Sequence, residues 1–421
     1  MSEMDKVIGY EGIKNELYRI IDIIKNPAKY HELGVSAPKG ILLEGEPGIG
    51  KTLMAKSFMK DSGLKSYVIR KDRPDGEFVD YIREIFNKAA EEAPSIILLD
   101  DLDKFANEDK TRVDAEEYVA VQACIDNVKE LDVFVIDTSN NSSKLPRSLV
   151  RSGRFDKRYY MPLPKIEDAK KIIEFYLKEK KVGNDIDVEE IARILDGHSC
   201  ADLEMVINEA GIYAGFENRT RINQEDIKQA FISKIFNGYV SADSNPISDR
   251  RIAVHEAGHA VISELYYPGQ VSFISIEAKA FGMKGIVRMH EDEHFGEDFN
   301  NIEIDIMTLL AGKAATELIL NEIDMGAVAD LCCAGEKMSM LLDCSAVYDF
   351  YSQPNREVPS KNTTDHLDTV KGAELSRCYI KTKQLLGKNR AFLEALIEAI
   401  LEKGTITYKD IAPIREKHIV A

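Results

Sequence analysis

The sequence predicts a multidomain fold: an α/β domain with a parallel sheet, a small α-helical domain, and a mainly α-helical domain at the end. Three observations predict it. The apolar run Lys39-Gly40-Ile41-Leu42-Leu43-Glu44 leads straight into Gly45-Glu46-Pro47-Gly48-Ile49-Gly50-Lys51-Thr52 and then a helical pattern. After Pro162 and Pro164 the pattern turns helical and stays so to about residue 236. Beyond a polar linker at 241–246, two histidines four apart, His255 and His259, lie among Ile252, Val254, Val261 and Ile262 at helical spacing.

Composition narrows the class. At 421 residues the chain has room for two or three domains, each with its own core. Hydrophobic residues make up 44% and charged residues 30%, which fits a globular chain and not a disordered one. A net charge of -17 leaves no basic excess to neutralise phosphates, so nucleic acid is not an expected partner. No apolar run approaches the roughly 20 residues needed to cross a bilayer, and Met1–Tyr10 has no apolar signal core. The six cysteines lack framework spacing, which reads as free thiols in a reducing cytoplasm. Cys332 and Cys333 read as core filling.

In the first domain, Gly45 to Thr52 is a complete G-x-x-x-x-G-K-T loop between a strand and a helix. The glycines let backbone N–H groups wrap phosphates, and the helix N-terminus adds partial positive charge. Lys51 is expected on the β- and γ-phosphates of a nucleotide and Thr52 on Mg²⁺. A second apolar strand, Ser95 to Leu99, ends in Asp100-Asp101. Asp100 is expected in the metal's water shell and Asp101 beside the attacking water. A third strand, Val133 to Ile136, ends near Asn140, and Arg151 and Arg154 flank Gly153 in a basic turn suited to a phosphate. Strand–helix alternation from about 40 to 160 implies a mainly parallel sheet covered on both faces. Four helical stretches follow: 166–181, 187–196, 200–217 and 224–236.

In the last domain, His255-Glu256-Ala257-Gly258-His259 carries the H-E-x-x-H pattern. Residues i and i+4 share a helix face, so both imidazoles can reach one Zn²⁺, with Glu256 placed to deprotonate a water. A third protein ligand is needed, and spacing offers both Asp330 and Glu317. Short strands are expected at 271–278 and 285–289, and a helix at 302–320. His290 to His294 lies beside more acidic residues and reads as a solvated loop. Residues 350–366 are polar, with Pro354 and Pro359, and read as a loop. The stretch 388–403 spaces Phe392, Leu396, Ile397 and Ile400 for a core helix.

The order of these motifs resembles the FtsH-type AAA metalloproteases. The likeness includes Pro38-Lys39-Gly40, the Arg151-Ser152-Gly153-Arg154-Phe155-Asp156 box, Ser199-Cys200-Ala201-Asp202-Leu203-Glu204, Asn208-Glu209-Ala210 and Leu310-Ala311-Gly312-Lys313-Ala314-Ala315. The resemblance implies a ring-shaped homo-hexamer that uses ATP to thread polypeptides and cuts them at zinc sites. It implies an AAA ATPase domain at 1–162, a lid at 163–240 and a zinc metalloprotease domain at 241–421. It puts Ile8 and Gly9 by the adenine, Asn140 on the γ-phosphate, and Arg151 and Arg154 on the next subunit's ATP. It also selects Asp330 over Glu317 as the third ligand.

Three departures from the family pattern shape the expectation. The family's N-terminal membrane anchor has no counterpart in this sequence, which leaves either a soluble, cytoplasmic protein or a shortened chain. Asp101 stands where the family places Glu, so ATP turnover is expected to be slow. The pore-loop aromatic is replaced by Pro74-Asp75-Gly76, with Phe78 and Tyr81 as either substitutes or helix packing. The expected function is therefore an ATP-dependent zinc endopeptidase acting on protein substrates. The rivals are a non-proteolytic remodeller and a peptidase with a weak, uncoupled ATPase.

Overall fold

The computed structural model describes the chain except residues 1, 35–37, 107–114, 150, 152, 236–244, 278–284, 291–297, 324, 346–360 and 421. The chain divides into two compact units: Met1–Lys180 with Gly197–Ile207, and Lys181–Asp196 with Asn208–Ala421.

The first unit is built on five parallel strands, β1 (Gly40–Glu44), β2 (Lys65–Ile69), β3 (Ser95–Leu99), β4 (Val133–Ser139) and β5 (Lys157–Tyr160), in the order β2-β3-β4-β1-β5. The three inner strands are the apolar runs of the sequence, because a parallel strand covered on both faces has no solvent side. Helices α1 (Glu11–Lys25), α2 (Pro27–His31), α3 (Lys51–Ser62), α4 (Asp75–Glu91), α5 (Ala115–Asn127) and α6 (Ile166–Leu177) complete it. Strand residues alternate between two cores. Ile41, Leu43, Ile96 and Ile136 meet Leu17 and Ile20 of α1 and Met54 and Phe58 of α3. Leu42, Ile97, Leu99 and Val135 meet Phe78, Ile82 and Phe86 of α4 and Val121 of α5. Phe78 is thus core, edge-on to Phe105 at 5.1 Å. Tyr81 donates to Val68 O at 3.3 Å and lies under the Arg73 guanidinium. Of the two readings of these aromatics, helix packing holds.

The helical stretch is observed as α7 (Val188–Ile194), α8 (Cys200–Phe216) and α9 (Gln224–Ile235). In the second unit, α10 (Pro246–Tyr266) starts at the linker. The Asn245 side chain accepts from the backbone of Ile247 and Ser248, and Pro246 takes the first turn, where its missing N–H matters least. The other helices are α11 (Phe299–Leu320), α12 (Val328–Ser345), α13 (Lys361–Lys388), α14 (Arg390–Lys403) and α15 (Tyr408–His418). Strands β6 (Val271–Ser275), β7 (Ile286–Met289) and β8 (Thr405–Thr407) form an antiparallel sheet in the order β7-β6-β8.

The centre of this unit is the α10–α11 pair, and small residues set its spacing. A Cβ built on Gly258 would lie 2.5 Å from Ala311 O and 2.7 Å from Ala315 Cβ. Phe392, Leu396, Ile397 and Ile400 are buried as their spacing predicts. Two expectations need correction. Cys332 and Cys333 are exposed, because α12 buries Ala334, Met338 and Leu341 instead. The end of the supposed loop at 350–366 is helical, since α13 begins at Lys361; the earlier part lies outside the described residues. Most of His290–His294 lies outside them too.

Candidate functional site

The phosphate loop joins β1 to α3. Gly45, Gly48 and Gly50 take φ of 151°, 82° and 96°, which side chains resist, so the loop can curl its N–H groups inward. Lys51 is the first residue of α3 and is buried. Its ammonium donates to Gly45 O (2.9 Å), Glu46 O (2.7 Å) and Asn140 Oδ1 (2.8 Å). Burial pulls its pKa down against the opposing pull of Asp101, Asp103 and Asp100. Thr52 Oγ1 donates to Asp100 Oδ1 at 2.7 Å, and Thr138 Oγ1 donates to the same oxygen at 2.9 Å. Two hydroxyls therefore meet one carboxylate beside the loop, and of these Thr52 and Asp100 form a donor pair that suits Mg²⁺.

The other residues expected at the nucleotide have different settings. Gly9 has φ 79°, and a Cβ there would lie 2.7 Å from Asp168 Oδ2. Ile8 precedes it, half-buried. Pro47 is exposed in the loop and Ile49 is core. Ala201 N donates to Gly48 O at 3.0 Å, bringing the start of α8 to the loop. Asp101 has left-handed backbone (φ 60°), and its carboxylate bonds Lys104 Nζ at 2.6 Å and Asn140 Nδ2 at 3.3 Å. Arg151 is exposed. Arg154 is buried and bonded to Asp126 and Ser148 O within its own unit, a position from which it does not face solvent.

Asp137 was not anticipated. It lies fully buried on β4, opposite Leu42 and Leu99, and neither carboxylate oxygen has a hydrogen-bond partner. Burial pushes its pKa far up, and Asp103, Asp100, Asp101 and Glu44 push it further. The signal was present in the sequence: a carboxylate directly after the apolar run 133–136.

In the second unit the fold brings together His255, His259 and Asp330, whose donor atoms all lie within 4.8 Å of one another. His255 Nε2 is 3.0 Å from His259 Nε2 and 3.1 Å from Asp330 Oδ2, and His259 Nε2 is 3.6 Å from Asp330 Oδ2. Donors on a tetrahedral zinc with bonds near 2.0–2.1 Å stand about 3.3 Å apart, so the residues fit the ion. His259 Nδ1 bonds Thr308 O at 2.7 Å, which fixes Nδ1 as the protonated nitrogen and turns the Nε2 lone pair toward the centre. A Cβ on Gly312 would lie 2.5–2.6 Å from the two rings, so that face admits only glycine.

The charged groups of the site are tightly coupled to one another. Burial pushes Asp330 up, but its bonds to His255 and His259 outweigh this and hold it well below the usual carboxylate range. Burial pushes His259 down, and Asp330 and Glu256 more than reverse it. Glu256, next to the pair, is pushed up by burial against the pull of His259 and His255. Gly285, just before β7, is pressed against it: a Cβ there would lie 2.8 Å from Glu256 Oε1 and 3.0 Å from its Cγ. Glu317 is elsewhere engaged, pairing with Lys313 and, at 3.2 Å, with Lys383.

Comparison with known proteins matches three families in succession. Residues 41–163 match the ATPase family associated with various cellular activities (AAA), 185–229 the AAA+ lid domain, and 244–414 peptidase family M41. The chain is 29% identical to ATP-dependent zinc metalloprotease FtsH 1 of Phytoplasma mali, over 96% of this chain and 69% of that protein. It is 31% identical to ATP-dependent zinc metalloprotease FtsH of Mycoplasma pneumoniae, over 98% of this chain and 62% of that protein. It is 29% identical to FtsH 4 of Synechocystis sp., over 97% and 70% respectively.

Proposed function

We propose, for a chain that belongs to the FtsH-type AAA zinc metalloproteases, that it is an ATP-dependent zinc endopeptidase whose first unit hydrolyses ATP and whose second unit cuts polypeptides. The observation that carries the reading is the convergence of His255, His259 and Asp330 beside a half-buried Glu256. A bound Zn²⁺ supplies Lewis acidity toward water and the peptide carbonyl. His255, His259 and Asp330 would hold it. Thr308 O keeps His259 in the tautomer that offers Nε2. Glu256 takes the proton of the attacking water and delivers it to the departing amine; burial makes its carboxylate a stronger base for the first step. Strand β7 is an edge strand of its sheet beside Glu256, so an extended peptide can add to that edge.

In the first unit, the phosphate loop and Lys51 would hold the phosphates of ATP, Thr52 and Asp100 the Mg²⁺, and Asp101 and Asn140 the attacking water and the γ-phosphate. In a homo-hexamer, Arg151 would be the arginine that serves a neighbouring subunit; its exposure supports this, and Arg154 is bonded internally. The domain limits 1–162, 163–240 and 241–421 go with this reading. No helix among the described residues is long and apolar enough to cross a membrane, and we place the protein in the cytoplasm.

One observation favours a second reading, a peptidase with a weak, uncoupled ATPase. Asp101 is short and already bonded to Lys104, and Phe78 and Tyr81 are engaged inside their own unit. The test is cleavage of a loosely folded protein. Loss of cleavage with a chelator and with Glu256→Gln supports the peptidase; cleavage undiminished by both overturns it. Full-rate cleavage by Lys51→Ala would select the uncoupled enzyme.

A further inference from the structure

Strand β7 has four residues and, among the described residues, a strand partner on one side only. Such an edge is held weakly by its own ladder. Yet the residue just before it, Gly285, forms a wall of the Glu256 side chain, in contact with Glu256 and Ile252. A proton-transferring carboxylate must be held to within about half an ångström, so something has to brace this strand.

The braces come from the lid segment. Ile286 packs with Ile232 and Ile235 of α9. At the other end, Arg288 Nη2 donates to Asp196 O at 3.0 Å, and His290 Nδ1 bonds the Asp196 carboxylate, just past α7. His290 is also tied to Gln270: its N–H donates to Gln270 O at 2.8 Å, and its carbonyl accepts from Gln270 Nε2 at 3.3 Å. On the neighbouring strand, Phe231 of α9 lies edge-on to Phe273 at 5.3 Å. We propose that Asp196 and Ile232, with His290, are positioning residues for peptide cleavage: they clamp the two ends of β7 so that Gly285 stays against Glu256. This rests on the reading of Glu256 as the proton acceptor.

The plainer alternative is that these contacts only attach the lid segment. Other contacts already do that and land on α15, not on β7. Lys409 pairs with Asp187, and the Arg193 guanidinium lies 4.3 Å from the centre of the Tyr408 ring. They supply the control. His290→Ala is expected to lower kcat on a short unstructured peptide roughly fivefold or more, with KM moving less than about twofold. Zinc content and phosphate release are expected to stay unchanged. His290→Asn, whose amide nitrogen falls where Nδ1 was, is expected to restore most of the rate, and Lys409→Ala to leave kcat alone. Equal kcat in His290→Ala and the parent overturns the proposal, as does an equal loss in Lys409→Ala. A second arm does not depend on cleavage. Amide exchange at 286–290 is expected to quicken in His290→Ala and Ile232→Ala and to stay at parental rates in Lys409→Ala; unchanged exchange in the first two also overturns the clamp. If the parent cleaves nothing, the peptidase reading fails, and exchange alone decides the clamp.

Discussion

Arg154 grips Asp126 through two nitrogens, Nε at 3.0 Å and Nη2 at 2.6 Å, from a position that is 2% exposed. The hydrogen bond from Arg154 outweighs burial and lowers the Asp126 pKa. An arginine so held serves its own fold, whereas Arg151 is exposed. Arg154→Ala is therefore expected to lower Tm by several degrees, because it empties the space of a buried side chain and removes its bonds to Ser148 O and to the exposed Asp126. Arg151→Ala is expected to keep its Tm and lose about tenfold or more in phosphate release. Full phosphate release in Arg151→Ala would remove the case for a role between subunits.

Glu256→Gln keeps the shape of the side chain and removes its basicity. Peptide cleavage is expected to fall at least about 100-fold, while zinc content by mass spectrometry stays at the parental level. Loss of the metal along with the activity would show that Glu256 holds the site together and is not its base.

Asp101 reaches the loop region with one methylene fewer than a glutamate, and Lys104 and Asn140 occupy its oxygens. Asp101→Glu is expected to raise phosphate release several-fold, since the longer side chain brings the carboxylate closer to the γ-phosphate. A rate equal to or below the parent's would mean that turnover is limited elsewhere.

Asp137 gives a pH prediction. Its folded pKa is raised by burial and then by Asp103, Asp100, Asp101 and Glu44. The unfolded carboxyl ionises near pH 4, so from there upward the unfolded chain gains a charge that the folded one resists. The parent thus loses stability as pH rises above about 4, until the folded pKa is reached. Asp137→Asn has no such term. At pH 8 it is expected to melt roughly 3 °C or more above the parent, with the gap closing toward pH 4. A gap that widens on acidification would mean that Asp137 is ionised and paired in the fold.

The local chemistry was legible in the sequence because it depends on short spacing. One helical turn links His255 to His259, and a strand–loop–helix run frames Lys51. The inner strands were legible as apolar runs, but β4 continues past its run through the buried Asp137, Thr138 and Ser139. What spacing could not decide was a partner brought in by tertiary packing. Asp330 lies 75 positions beyond His255, and only the crossing of α10, α11 and α12 brings it to the imidazoles while Lys313 and Lys383 take Glu317. The same limit hid Asp126 from Arg154 and Asp196 from His290. The exposed Cys332 and Cys333 mark a different limit: residue type alone does not say which side of a helix faces inward.

The glycines of α10 and α11 have a consequence for how the centre acquires its ion. With Gly258 seated on Ala311 and the imidazole rings lodged over Gly312, the helices dictate the bite of the ligands before any cation arrives. The centre is a preformed socket. A chelated sample should regain zinc, or accept cobalt, on simple mixing, without passing through a denatured stage, and its melting curve should change far less than its catalytic rate.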